Sequence, residues 1–459
     1  MKFHVFALAI LISSLMKGSE IIAQEKLPSN FFLTKLDNGL EVLVIEDKSV
    51  PLVTVEIVVR NGAYCEDSNY NGLSHLYEHM FFKANKVLPS QEKFLDRVNE
   101  LGVVFNGTTS DERVNYFITL NNSKVVEGLQ FVNDAIRYPL FDKDEMKREN
   151  PVVDGEFQRA ESSPVFFLFD DFNKAMWRKN YSRKNAIGNH DIILTATPEK
   201  MNIIKDKYYY PNNSMLVLAG DVKHEEMFEE AKKIYGSWEP SSFDPFEKYP
   251  IPEFEKITKD TNFITINGNA QVPMIIKGWH GPDTRNDLKS TYAADVFSTI
   301  LGLQSSKFQQ RLVESGLCYQ VSMGYQTCKY VGPIQMFVVP NPAKLKEAYQ
   351  AVLNEMNDFD SPDYFTEEQL NSAKNQLAIS DAYDKERTSS FVHTVTYWWA
   401  SASINYYTDY IDNINQVSRQ DIIDYIQKYI KGKPTVSGLL LNKDMQLSMK
   451  LDSFDSLNK

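Results

Sequence analysis

The hydrophobic positions in the first half of the chain change period several times, and each period predicts a different element. Residues 40–45 and 53–59 are rich in β-branched side chains, which favours strands of a sheet. Helix-like patterns follow at about residues 72–82 and 91–101, and helical patterns return over most of residues 124–172. These alternations predict a mixed domain in which helices pack on a sheet.

The second half repeats this order of patterns. Strand patterns lie near residues 263–266 and 274–279, a helical pattern covers 288–300, and strand patterns return at 319–325 and 334–339. The closing helix and strand of the first half also have counterparts near the C-terminus. The repeat predicts an α+β fold of two homologous domains, each a mostly antiparallel sheet packed with helices, related by internal duplication.

A segment rich in proline and aromatic residues, 238–252, separates the two halves, and regular structure is expected to fail there. We therefore predict an N-terminal domain over residues 24–237, a linker over 238–255 and a C-terminal domain over 256–459.

The first 23 residues have the layout of a cleavable signal peptide. Lys2 precedes an apolar stretch over residues 3–15 that is too short to span a membrane comfortably. The alternative is a retained N-terminal anchor, which Ser13, Ser14 and Lys17 argue against because they interrupt the apolar run. We predict an exported protein, periplasmic or extracellular, without stable membrane insertion.

The charge balance argues against nucleic acid as a partner. The chain carries 49 Lys and Arg against 61 Asp and Glu, a net charge of −12, whereas phosphate recognition needs a basic surplus. The acidic surface either favours basic partners or simply keeps the protein soluble.

Three cysteines, Cys65, Cys318 and Cys328, fit no zinc ribbon or disulfide framework. A disulfide between Cys318 and Cys328 and two unpaired thiols are both open.

A short motif carries the candidate chemistry. His75 and His79 are four residues apart, so on a helix both imidazoles project from one face and can bind one metal ion. Glu78 is adjacent to His79. Zinc lowers the pKa of a bound water, and a neighbouring carboxylate can accept the proton and pass it to a leaving amine. The motif predicts peptide hydrolysis.

A catalytic zinc ion needs a third protein ligand and an open position. Glu149 and Glu156 are seven residues apart, two helical turns, so both lie on one helix face. Spacing alone does not choose between them. Pro151 and Gly155 lie in between, where a regular helix avoids both residues and a kink is expected.

Over nearly the whole chain, the sequence resembles the pitrilysin/insulinase family of metallopeptidases, in its half-length branch that includes mitochondrial processing peptidase. The family pattern is His-x-x-Glu-His, about seventy residues, and Glu-x6-Glu. The resemblance implies one zinc ion per chain bound by His75, His79 and Glu156. It makes Glu78 the general base and Glu149 a catalytic-site carboxylate that supports the ligands.

The resemblance also implies substrate contacts. The stretch containing Asn106 and Gly107 is similar to a family segment whose strand borders the cleft and pairs with substrate backbone. Family members that work alone carry an Arg seven positions before a Tyr in the second half. Here Tyr319 is present, but Leu312 holds the Arg position and Arg311 lies one residue early, so its role in substrate binding is open.

These features predict a zinc-dependent endopeptidase or oligopeptidase acting on extended or unfolded peptides. The displaced Arg suggests either a homodimer or a heterodimer with a homologous subunit that supplies an Arg/Tyr pair. The alternative function is a non-catalytic structural or peptide-binding subunit of the same fold.

Overall fold

The computed structural model of the protein describes residues 27–458. The predicted signal peptide, residues 1–23, lies outside the described residues. Among the residues that are described, no helix has both the length and the apolar character needed to cross a bilayer.

Eleven strands are present in the described chain: β1 Phe31–Lys35, β2 Glu41–Glu46, β3 Leu52–Val59, β4 Val104–Thr109, β5 Val114–Asn121, β6 Ser214–Gly220, β7 Thr261–Ile266, β8 Met274–His280, β9 Cys318–Tyr325, β10 Pro333–Pro340 and β11 Val436–Leu441. The α-helices of the first half are α1 Leu73–Phe81, α2 Gln91–Leu101, α3 Val125–Arg137, α4 Lys143–Glu161, α5 Pro164–Trp177, α6 His190–Leu194, α7 Pro198–Tyr208, α8 His224–Tyr235 and α9 Pro245–Lys248. Those of the second half are α10 Leu288–Gly302, α11 Lys307–Gln309, α12 Leu345–Asp358, α13 Glu367–Asp384, α14 Thr388–Ser401, α15 Ile404–Thr408, α16 Tyr410–Gln416, α17 Arg419–Tyr429 and α18 Lys443–Ser448.

The strands form two sheets with the same internal order. The first sheet is β1-β2-β6-β3-β5-β4 and the second is β7-β11-β8-β10-β9. In each sheet one neighbouring pair is parallel, β2 with β6 and β7 with β11, and the other neighbours pair antiparallel. The second sheet therefore repeats the first without β1. The predicted α+β fold with two similar halves is confirmed.

Each half supplies a helix that covers the sheet of the other half. Leu168, Phe172 and Met176 of α5 pack with Ile276 and Leu440 of the second sheet. In return, α14 contributes a buried cluster to the first sheet, formed by Phe391, Val392, Val395 and Trp399 with Leu43, Val58 and Val217. Because these apolar faces are buried only when both halves are present, the halves stabilise each other.

Charged groups at the same junction are also paired between halves. The Arg113 guanidinium donates to Thr396 Oγ1 at 2.7 Å. The buried carboxylate of Glu112 accepts hydrogen bonds from the backbone N–H groups of Lys329 and Tyr330, at 2.7 and 2.9 Å. Satisfied polar groups of this kind fix the mutual orientation of packed surfaces.

Two local features differ from, or refine, the sequence expectation. Within the proline-rich segment, Asp244 caps the short helix α9 by accepting from the N–H groups of Phe246 and Glu247, so this part of the segment is regular.

All three cysteines are free thiols, and burial raises the pKa of each, to about 11 for Cys318. The structure thus contains the unpaired alternative for Cys318 and Cys328.

Candidate metal centre

A buried carboxylate fixes the start of α1, the helix that carries the motif. Glu66 accepts hydrogen bonds from the backbone N–H groups of Gly72 and Ser74, at 2.8 and 2.6 Å. Gly72 has a φ of 92° and lies against Gly188, where an added Cβ would approach the Gly188 Cα to 2.6 Å. Burial raises the pKa of Glu66 to about 8, although these hydrogen bonds oppose the rise. Sequence reasoning missed Glu66, since nothing in its local pattern marks it.

Both imidazoles of the motif point toward one carboxylate of α4. His75 Nε2 lies 3.5 Å and His79 Nε2 lies 3.9 Å from Glu156 Oε2. The three residues form a group whose ligand atoms all lie within 4.8 Å of one another. The structure therefore brings together the two histidines and one of the two glutamates that spacing had left as alternatives.

The three side chains suit a zinc ion in type and in spacing. Tetrahedral zinc with bonds of about 2.0–2.2 Å places its donor atoms about 3.4 Å apart, close to the observed 3.5 and 3.9 Å. Burial, with a smaller effect of His79, lowers the pKa of His75 to about 4, so this imidazole is neutral at pH 7 and keeps a free lone pair. Two histidines and one glutamate with an open position form a known catalytic zinc set.

Glu149 contacts the other side of the His79 ring. Its Oε1 lies 2.9 Å from His79 Nδ1, and its Oε2 pairs with Lys83 Nζ at 2.6 Å. Burial lowers the pKa of His79, but the hydrogen bond with Glu149 and the nearby charges of Glu78, Glu149 and Glu156 together outweigh it, so the pKa is raised. Burial raises the pKa of Glu149, but its hydrogen bonds with His79 and Lys83 and their charges hold that pKa below its ordinary value. Glu149 thus orients His79 so that Nε2 faces Glu156.

Lys83 is a site residue that sequence reasoning missed. Only about 9% of its side chain is exposed, and its ion pair with Glu149 fixes the carboxylate that orients His79. The available signal was its position four residues after His79, on the same side of the chain.

The Glu78 carboxylate is buried between α1 and β4. Thr109 Oγ1 donates a hydrogen bond to Glu78 Oε2 at 2.7 Å, and burial raises the pKa of Glu78 against this bond. Gly107 lies directly opposite, since a Cβ there would approach Glu78 Cγ to 2.8 Å. Gly107 leaves the space that the Glu78 carboxylate needs, and the hydrogen bond from Thr109 orients that carboxylate.

Helix α4 continues through Pro151 as one helix from Lys143 to Glu161. Pro151 removes one backbone hydrogen bond, but Met146, Val153 and Phe157 are buried on both sides of it and hold the helix in place. Glu149 and Glu156 therefore keep the two-turn spacing, which places one beside Nδ1 and the other near Nε2 of His79.

Two cavities adjoin the cluster. The first, of about 390 Å³, is called the cationic cavity and is lined by His75, Thr109, Glu156, Arg159, Ala160, Ala186 and Ile187. The second, of about 430 Å³, is called the aromatic cavity, and its lining includes His79, Glu78, Phe82, Leu95, Phe105, Asn106 and Gly107. Since His75 and Glu156 line both cavities, the cluster lies between them.

The structure places the predicted substrate residues in two different regions. Asn106 and Gly107 line the aromatic cavity. Arg311 instead pairs with Glu355 and Asp358 of its own half, at 3.0 and 2.9 Å, while Tyr319 on β9 is 59% exposed. Leu312 is buried in the second core, and neither Arg311 nor Tyr319 lines either cavity.

Two family models match the chain. The one described as Insulinase (Peptidase family M16) matches residues 41–189, and the one described as Peptidase M16 inactive domain matches residues 195–377. The first match contains α1 and α4 with all the residues of the cluster. The chain belongs to the M16, or insulinase, family of peptidases, so the predicted family is confirmed.

The chain is similar over most of its length to proteins named as zinc proteases. An uncharacterized zinc protease of Rickettsia felis is 25% identical over 353 residues, which cover 76% of this chain and 82% of the relative. The zinc protease PqqE of Helicobacter pylori is 23% identical over 420 residues, covering 90% of this chain and 93% of the relative.

Solved structures share the fold. A protease from Helicobacter pylori has a TM-score of 0.78 at 21% identity, covering 90% of this chain and 99% of that one. A peptidase M16 inactive domain from Pseudomonas fluorescens has a TM-score of 0.75 at 15% identity, covering 90% and 98%. The periplasmic protease PqqL from Escherichia coli has a TM-score of 0.74 at 17% identity, covering 94% of this chain and 50% of that one.

Proposed function

We propose that this chain is a zinc-dependent endopeptidase or oligopeptidase that hydrolyses extended or unfolded peptides. The observation that carries the proposal is the convergence of His75, His79 and Glu156 beside the buried carboxylate of Glu78. Relatives named as zinc proteases support zinc as the metal.

One zinc ion per chain would be held by His75 Nε2, His79 Nε2 and the Glu156 carboxylate. When bound, zinc supplies Lewis-acid chemistry, which polarises a peptide carbonyl and lowers the pKa of water. Glu149 holds His79 from the opposite ring nitrogen, and Lys83 holds Glu149. The ligands thus keep their orientation without substrate.

Glu78 accepts a proton from the attacking water and delivers it to the amine of the cleaved bond. Its Oε2 is held by Thr109, which leaves Oε1, next to Gly107, as the oxygen available to water. General acid–base catalysis of this kind contributes about 10²–10⁴-fold to a rate.

The edge strand β4 provides a backbone for substrate. β4 is the last strand of the first sheet, and its Val104 side chain is 72% exposed. An extended peptide can add to such an edge through main-chain hydrogen bonds, which selects for extended conformation rather than for one side chain.

The proposal is tested by measuring bound zinc and hydrolysis of a pool of unstructured peptides for the native chain and for Glu78→Gln. We expect about one zinc per chain in both proteins, and a loss of about 10³-fold or more in turnover for the variant. Glu127→Gln, on the exposed face of α3, is the matched control and should keep both properties. Absence of bound zinc, or equal turnover in native and Glu78→Gln proteins, would contradict the proposal.

A second candidate function is peptide binding without turnover. It is favoured by the similarity to an M16 inactive domain over 90% of this chain. It predicts zinc and peptide affinity with no hydrolysis in the native protein, so the same measurement separates the two functions.

We also propose that the active unit is a dimer, either of two copies or with a homologous subunit that supplies an Arg/Tyr pair. The supporting observation is that the Arg311 guanidinium is engaged by two carboxylates of α12. Sedimentation together with turnover per chain at increasing concentration tests this. A monomer with concentration-independent turnover would exclude both kinds of dimer.

For location, we propose export to the periplasm or the extracellular space. The predicted signal peptide and the similarity to a protein named as a periplasmic protease support it. Mass spectrometry of the protein from its native cell should find a mature N-terminus near Gln24, whereas a chain retaining Met1 would contradict cleavage.

A further inference from the structure

Arg159 places a cation beside the candidate metal centre. It lies on α4 three residues after Glu156, and its side chain is exposed and lines the cationic cavity. Residues three apart on a helix are neighbours on one face, with Cβ atoms about 5–6 Å apart. Among residues 27–458, the Arg159 guanidinium has no carboxylate partner.

The contrast with Lys83 shows that this is unusual for the site. Lys83 also lies beside the cluster, but its charge is neutralised by Glu149 at 2.6 Å. Among the described residues the Arg159 guanidinium makes no ion pair, although the carboxylate of Glu156 lines the same cavity; Ala160, Ala186 and Ile187 add no side-chain charge. A guanidinium in this state is suited to a bidentate contact with a carboxylate.

The position of the two cavities along β4 gives the spacing of a substrate. Phe105 lines the aromatic cavity and Thr109 lines the cationic cavity. Four strand residues correspond to roughly 13 Å at about 3.3 Å per residue, and side chains an even number of positions apart lie on the same face of a strand. An extended peptide lying along β4 therefore reaches both cavities with side chains about four positions apart.

We propose that Arg159 determines specificity by binding a carboxylate of the substrate, about four residues from an apolar side chain held by Phe82, Leu95 and Phe105. The proposal rests on the proposed peptidase function. The preferred substrates are extended peptides with an acidic residue at this position, despite the net charge of −12 on the chain. The carboxylate comes either from an Asp or Glu side chain or from a free C-terminus.

The test uses labelled peptides of one sequence with blocked ends, in which a single position is Glu, Gln or Lys and is moved along the chain. A further peptide has a free C-terminus and no acidic side chain. Binding is measured by fluorescence anisotropy to zinc-loaded Glu78→Gln protein, and kcat/KM is measured with Glu78 intact. Both proteins, Glu78→Gln and the one with Glu78 intact, are also prepared with Arg159→Ala and with Arg159→Glu. Lys147→Glu is the control, because it reverses a charge on the exposed face of the same helix outside both cavities.

We expect the Glu peptide to bind about fivefold more tightly than the Gln peptide at one position, and this preference to vanish in Arg159→Ala. Arg159→Glu should reverse the ranking in favour of Lys, a change of about 25-fold. Lys147→Glu should keep the native ranking. Which peptide responds, the one with the side chain or the one with the free C-terminus, identifies the source of the carboxylate.

The role of Arg159 would be overturned if Arg159→Glu left the order of affinity for the Glu, Gln and Lys peptides unchanged. It would also be overturned if Lys147→Glu changed that order as much as Arg159→Glu does. Turnover of the Gln peptide by the native chain tests the peptidase function separately. Native turnover with an unchanged ranking rejects only this inference, and binding that follows Arg159 without any turnover rejects only the peptidase. No binding of any peptide rejects both.

Discussion

The two halves share a sheet order but use the helix after the equivalent strands β3 and β8 differently. In the first half, α1 directs His75, Glu78 and His79 into a polar cluster. In the second half, α10 fills the core with a set of buried side chains that includes Tyr292, Ala293, Val296, Phe297 and Ile300. One helix position thus serves chemistry in one copy and packing in the other.

The difference has a cost in stability for the first half. The carboxyl group of Glu78 is buried, and His75 Nδ1 is buried without a hydrogen-bond partner in the described chain. Among the described residues, both clusters with metal-ligand spacing lie in the first half. A duplicated fold can carry such a cost in one copy because the other copy, through α14, adds apolar packing to the first sheet.

Removal of zinc is expected to have the largest effect, and only on the first half. Hydrolysis should stop, and stability should fall by about 4 kcal/mol relative to protein held at a thousandfold excess of zinc over its Kd. Hydrogen exchange should show lost protection in α1 and α4 with little change in α10. Equal loss in α1 and α10, or no change in either, would contradict the functional division between the halves.

Lys83→Met is expected to weaken zinc binding by about 10–100-fold, because Glu149 loses its fixed position and His79 its orientation. Lys83→Arg keeps the charge and should stay closer to the native affinity. Competition with a chromophoric chelator measures both. Native affinity in Lys83→Met would show that the Lys83–Glu149 pair does not support the ligands.

The glycines of the two edge strands offer a matched comparison. Gly107→Ala on β4 places a Cβ 2.8 Å from Glu78 Cγ, whereas a Cβ at Gly324 on β9 meets nothing within 4 Å. We expect Gly107→Ala to lower kcat/KM about tenfold with zinc content unchanged, since the general base is displaced. Gly324→Ala should have no effect on either quantity. Equal behaviour of the two variants would remove the argument that β4 shapes the site.

A further expected effect concerns stability rather than activity, depends on pH and lies in the second half. Burial raises the pKa of Asp295 on α10 from 3.8 to about 7, against the hydrogen bond from Tyr410. The folded state holds this proton more tightly than the unfolded state, so stability is lost as pH rises from about 4 to about 7. Asp295→Asn should raise the free energy of unfolding by on the order of 2 kcal/mol at pH 8 and change it little at pH 4. The partial exposure of the Asp295 side chain keeps the expected gain at pH 8 modest. Denaturant unfolding at the two pH values measures this, and an equal gain at both would contradict it.

The sequence predicted the elements that depend on local pattern. α1, α2, β2 and β3 lie where periodicity and β-branched runs placed them, and the spacing of the histidines and glutamates is realised on α1 and α4. The choice of Glu156 beside both Nε2 atoms followed from family resemblance, since Glu149 has the same spacing.

Features that depend on distant contacts could not be predicted. Glu66 and Thr109 act through partners brought together by the fold, and the exchange of α5 and α14 between halves joins segments far apart in the chain. Helix α4 continues through Pro151 because burial on both sides outweighs one missing hydrogen bond, and the kink expected there stays a prediction.

The most direct test of the central claim is zinc K-edge X-ray absorption of the purified chain, read together with zinc content. We expect about one zinc per chain, with two imidazole nitrogens and further oxygen donors. Glu156→Gln should lose the metal far more readily than the matched Glu127→Gln. Sulfur in the coordination shell, a shell without imidazole, or full zinc retention in Glu156→Gln would contradict it.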